Sequence, residues 1–123
     1  MDGSRIKEIT SEGLTYLNEQ DEDVFIDFAD CFQRQLGRYT TPEALKTFKE
    51  VNHKTDEQVQ NWVAFLNKHK VVGGRHIGGF RGRLWTIAFY TEPLTEFEFS
   101  SEQAWGQVVY AIKKAGWRTE DWA

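Results

Sequence analysis

The chain is poor in cysteine, in proline and, through its middle, in acidic residues. One cysteine, Cys31, in 123 residues excludes an internal disulfide framework and a zinc site built from several cysteines. The three histidines, at 53, 69 and 76, fit no familiar metal-ligand spacing, so neither a metal nor a cofactor is expected. No run approaches the ~18 apolar residues of a membrane span. The opening Met1-Asp2-Gly3-Ser4-Arg5-Ile6-Lys7 lacks the apolar core of a signal peptide. These absences make a reducing cytosol the expected compartment and leave no membrane partner. With two prolines, at 42 and 93, and no repeat, low-complexity tract or linker, residues 1–123 read as a single compact domain. Hydrophobic residues at 40% beside 28% charged belong to a folded chain, not to a disordered one.

Acidic residues are missing altogether from 58–91, where Lys68, Lys70, Arg75, Arg81 and Arg83 stand alone. Residues 1–57 carry 13 acids against 7 bases, and residues 92–123 carry 6 against 3. A basic middle is thus set between acidic flanks within a net charge of −4. Either the flanks neutralise the middle, or the middle presents an anion-binding edge. The overall acidity speaks against a general nucleic-acid binder.

Periodicity locates most elements. Ala104, Trp105, Val108, Val109 and Ile112 form one apolar stripe at helical period after the capping serines 100 and 101, which predicts a helix over 101–115 ended by Gly116. Thr55 and Gln58 have capping-box spacing, and Val59, Trp62, Val63 and Leu66 give the buried face of a helix over 55–70 stopped by Gly73-Gly74. A shorter helix over 41–51 has Thr41 as cap, Pro42 at its first position, and Leu45 and Phe48 facing inward. Residues 83–90 read as a central strand, apolar on both faces, and 95–99 as a half-solvated one. Arg75-His76-Ile77 and Phe80 offer a third, with a turn near Arg81-Gly82. In the first third, 14–17 and 24–28 read as strands around an acidic loop, with a helix over 29–37. Short apolar runs also admit a helix there, because Val24, Phe28, Phe32 and Leu36 share helical spacing. The expected fold is α+β: an antiparallel sheet of three or more strands with about three to four helices packed mainly on one face.

Chemistry-bearing patterns are few. The glycine-rich stretch 72–83 lets backbone N–H groups approach an anion, and Arg75, Arg81 and Arg83 add forked donors. It contains no phosphate-loop pattern and precedes a strand, so a turn-rich hairpin is the plain alternative. Asp27 and Asp30 are the best acid/base candidates; Asp27, embedded in Val-Phe-Ile-Asp-Phe, suits a general base if buried, and is a solvent-facing carboxylate beside Phe25 if not. His76 among arginines has its charged form disfavoured, which suits a base; the alternative is a solvated loop histidine. Cys31 has no adjacent cation to activate it and reads as a small buried hydrophobe. Trp62, Trp85 and Trp105 sit on apolar faces, whereas Trp117 and Trp122 fall in a polar tail where an interface would use them.

These readings favour a binding or accessory module over an enzyme. Its partner is expected to be a protein, met by Phe25, Trp117 and Trp122, or a small molecule in an aromatic pocket lined by Trp85, Phe89, Tyr90, Phe97 and Trp105. A small enzyme using the same pocket with Asp27 as base is the first alternative, and anion contact through Arg75, Arg81 and Arg83 the second. The aromatic surplus also points to a homodimer.

Overall fold

Alternation of apolar and polar residues builds two sheets, seen in a computed structural model that describes residues 1–40, 42–77 and 85–121. The first contains β1 (Ile6–Ile9), β2 (Gly13–Leu17) and β3 (Asp23–Asp27), all antiparallel in that spatial order. Leu14, Tyr16 and Ile26 are buried, while Phe25, one residue out of phase, is exposed. The register Leu14↔Ile26 brings the inward residues of β2 and β3 opposite each other. The ambiguous runs 14–17 and 24–27 are therefore strands and not helix, as their β-rich composition suggests, and Phe28 starts a helix. β1 is an addition to the sequence reading: a register irregularity between Ile6 and Glu8 breaks the alternation that would have marked it. Arg5 ties down the acidic loop at 18–22, donating to the Leu17 and Asn18 carbonyls and to Asp21.

Four helices are described. α1 (Phe28–Thr40) starts directly after β3 and runs beyond the expected end at Gly37. α2 (Pro42–Asn52) has Pro42 at its first position; its expected cap, Thr41, lies outside the described residues. Leu45 and Phe48 are half-buried, and no residue of α2 is fully buried. α3 (Asp56–His69) opens with the expected capping box, in which Thr55 and Gln58 satisfy each other's backbone N–H. Its stop is not the Gly73-Gly74 pair. Lys70 ends it in the left-handed region, at φ 52°. α4 (Glu102–Lys114) is capped by Ser101, whose hydroxyl accepts from the Ala104 N–H, and Gly116 follows at φ 98°.

The second sheet has the order β6-β5-β4-β7. Here β4 is Val71–Ile77, β5 is Trp85–Phe89, β6 is Thr95–Phe99 and β7 is Arg118–Asp121. β4, β5 and β6 are antiparallel, and β7 joins parallel to β4. Both glycines taken as a helix stop lie inside β4, and at Gly73 the packing leaves no room for a side chain: a Cβ there would collide with the Ala88 carbonyl of β5. β7 is built from part of the tail that reads as polar in the sequence. The turn expected near Arg81-Gly82, with Phe80 and Arg83, lies outside the described residues.

The two sheets share buried residues. Tyr16 meets Phe97 edge-on at 5.2 Å, Phe97 meets Phe89 at 5.9 Å, and Phe28 stacks on Phe89 at 5.9 Å. α1 packs against β4, and α4 against β5, β6 and β7. The chain start borders β6, where the Glu98 N–H donates to the Met1 carbonyl at 2.7 Å. The fold is α+β, with four helices, a three-stranded antiparallel sheet and a four-stranded mixed sheet. Among the described residues no helix is long and apolar enough to cross a membrane.

Candidate functional site

α3 buries Val59 and Leu66 and presents a different set of side chains at its flank. Trp62, Phe65 and His69 are spaced three and four apart, so they align along one side of the helix. The Trp62 and Phe65 rings are nearly parallel, 10° apart with centroids at 5.3 Å, and the His69 ring lies 4.5 Å from that of Phe65. Phe65 is 41% exposed and Trp62 half-buried. Cavities open on both sides of this shelf. One of about 550 Å³ is bounded by Phe48, Lys54, Gln58 and Asn61 together with the two rings. The other, of about 260 Å³, is closed by β4 and β7 and takes in His69, Arg75, Arg118, Thr119 and Glu120.

The second cavity exists because of strand register. α3 ends at His69, Lys70 turns the chain, and Val71 starts β4 directly opposite Arg118 of β7. Residues 49 apart in sequence are thereby joined: Arg118 Nη1 lies 3.0 Å from His69 Nδ1. An arginine only donates, so His69 Nδ1 is the acceptor in this contact. Behind this rim, Glu120 Oε1 accepts from the Tyr90 hydroxyl and from Gln35 Nε2 at 3.5 Å. Gln35 is only 1% exposed, and its Oε1 has no hydrogen-bond partner among the described residues. Thr119, 6% exposed, has its hydroxyl in the same condition.

The residues singled out from the sequence are distributed elsewhere. Phe89, Tyr90 and Phe97 are core residues, buried to 2% exposure or less. Trp85 and Trp105 are half-buried with ring centroids 5.0 Å apart, and the Trp105 indole donates to the Thr86 carbonyl at 2.9 Å. Neither cavity described above includes any of these five. Asp27 is exposed and caps α1, accepting from the Ala29 and Asp30 N–H groups at 2.9 and 3.3 Å. His76 is half-buried within β4, opposite Thr86, and is not on a loop. The Arg75 guanidinium lies 5.9 Å from the centre of the Trp105 ring, while Arg81 and Arg83 fall outside the described residues. Phe25 is 53% exposed, its ring beside Gly13. Trp117 is half-buried instead, against Phe28 and Phe32, with its indole donating to the Ser11 carbonyl at 2.8 Å. Trp122 lies outside the described residues.

Cys31 is fully buried, and its thiol is pushed up to about 12, first by burial and then by the charges of Asp30 and Asp27. No cluster of three or more metal-ligating side chains occurs among the described residues. Sequence reasoning assigned Trp62 to the core and passed over Phe65, His69 and Arg118 as a group. The three-four spacing in α3 was the available signal; the pairing of β7 with β4 had none. Comparison of the chain with protein-family models, curated proteins and solved structures finds no match.

Proposed function

We propose that the chain is a binding module that takes a small planar ligand on the aromatic flank of α3. One observation carries the reading: Trp62 and Phe65 stand parallel at a partly exposed helix face with a cavity on either side. Two parallel rings with open space beside them offer a stacking surface, and a mainly apolar cleft with a few convergent polar groups is the usual form of a small-molecule site. A catalytic reading has no comparable anchor, because Asp27 is engaged as a helix cap.

The test is a ligand-detected NMR titration of the full chain with a set of planar heterocycles, repeated with Phe65→Ala and Trp62→Ala. A stacked ring is worth ~1–3 kcal/mol per aromatic contact, so either substitution should weaken binding about tenfold or more. Phe65→Ala is the more telling variant, since its exposed ring contributes less to folding. Undiminished binding in both variants would reject the shelf as the site.

A further inference from the structure

We infer that the ligand stacked on Trp62 and Phe65 carries an anionic group, a phosphate or a carboxylate, which docks on Arg118 at the end of the shelf. The inference rests on the stacking site proposed above and names the chemistry of its ligand. Arg118 reaches the shelf through the register Val71↔Arg118 and is exposed. Its hydrogen bond goes to a ring nitrogen, His69 Nδ1, which brings no negative charge. Among the described residues Arg118 forms no ion pair, although the chain has 19 acids for 15 bases. A guanidinium has five donors in a planar fork, and one bond to His69 leaves the rest of the fork for a bidentate partner such as a carboxylate or phosphate.

The surroundings of the cavity support the assignment. Arg75 lines the cavity too and adds a second positive charge to its field. Among the described residues Glu120 is the carboxylate at the wall, and its Oε1 accepts from Tyr90 and Gln35. Aromatic rings therefore lead to an exposed guanidinium, the arrangement that a planar ring bearing an acid group complements.

The experiment is calorimetric titration of the full chain with adenosine monophosphate, adenosine and 2-naphthoate, repeated with Arg118→Gln. Arg118 is exposed, and a thermal melt verifies that the variant folds. The expected result is that one or both anions bind about tenfold or more tighter than adenosine, and that Arg118→Gln removes this advantage while leaving adenosine unchanged, the scale of a charge-assisted hydrogen bond. Preference for the nucleotide identifies phosphate; preference for naphthoate identifies carboxylate. Arg118→Lys, which keeps the charge and loses the fork, should retain part of the affinity. Adenosine binding as tightly as its monophosphate, or anion affinity unchanged in Arg118→Gln, overturns the anion site and leaves the stacking shelf standing. Failure of all three compounds to bind overturns both.

Discussion

Asp27 and Cys31 lie four residues apart around the start of α1, and access to water separates their roles. Asp27 is exposed and holds two backbone N–H groups of the first helical turn. Asp27→Ala should cost about 1 kcal/mol in urea denaturation, whereas Asp27→Asn, an equally good cap, should cost far less. Equal losses in the two variants would show that the charge matters and not the cap. Cys31 is shut off from water, and its thiol is held up at about 12 against an ordinary 9.0. The raised value belongs to the folded state, so the unfolded chain ionises first as pH rises. The thiol's contribution is fully present below about pH 9 and is lost progressively toward about pH 12. Melting temperature should consequently fall faster above about pH 9 in the native chain than in Cys31→Ala. Parallel curves for the two proteins would remove Cys31 from the account.

At the scale of elements, two glycines with opposite expectations test the packing of β4 and α4. Gly73 sits where β4 and β5 approach too closely for a side chain, since a Cβ would meet the Ala88 carbonyl, part of a backbone that cannot rotate away. Gly73→Ala should destabilise by about 1–3 kcal/mol, as overpacking does. Gly106 lies within α4, and nothing comes within 4 Å of a Cβ placed there. Gly106→Ala should stabilise by about 0.5–1 kcal/mol, because alanine loses less backbone freedom in a helix. Chemical denaturation of the pair checks both signs, and a stabilising Gly73→Ala would contradict the close approach of the strands. Lys70 illustrates the same competition between local preference and packing. It accepts the left-handed region that glycine favours because the chain must turn from α3 into β4 at that residue.

At the scale of the molecule, the hydrophobic cluster runs without interruption from Leu14, Tyr16 and Ile26 of the first sheet to Ile87, Phe89, Phe97 and Phe99 of the second. Unfolding should thus be one cooperative transition, with far-ultraviolet and near-ultraviolet circular dichroism melting together. Two separated transitions would mean that the sheets fold independently. The aromatic excess behind the expectation of a homodimer is largely absorbed by this cluster: Phe25, Phe65 and Tyr110 are the large aromatics exposed among the described residues. The ion pairs Arg5–Asp21, Lys7–Asp23, Arg34–Asp30 and Lys49–Asp56 all form within the first 57 residues. Lys70 instead lies 5.7 Å over the Trp117 ring.

What the sequence determined by itself is what depends on neighbours along the chain. The Thr55–Gln58 capping box, the Ser101 cap, the apolar stripe of α4 and the alternation of β2, β3, β5 and β6 are local patterns, and each appears where its period places it. The α+β class follows from those elements. What only the tertiary structure decided is what depends on pairing between distant segments. β1 and β7 are short and irregular in period, so their partners make them strands. Gly73 and Gly74 look like a helix stop until β5 is laid beside them. In the candidate site, the Trp62–Phe65–His69 spacing was legible and its exposure was not, because burial is set by whatever packs against a helix. Arg118 was illegible altogether: a parallel partner strand can slide along β4 without altering any local pattern, and its register with Val71 alone brings the guanidinium to His69.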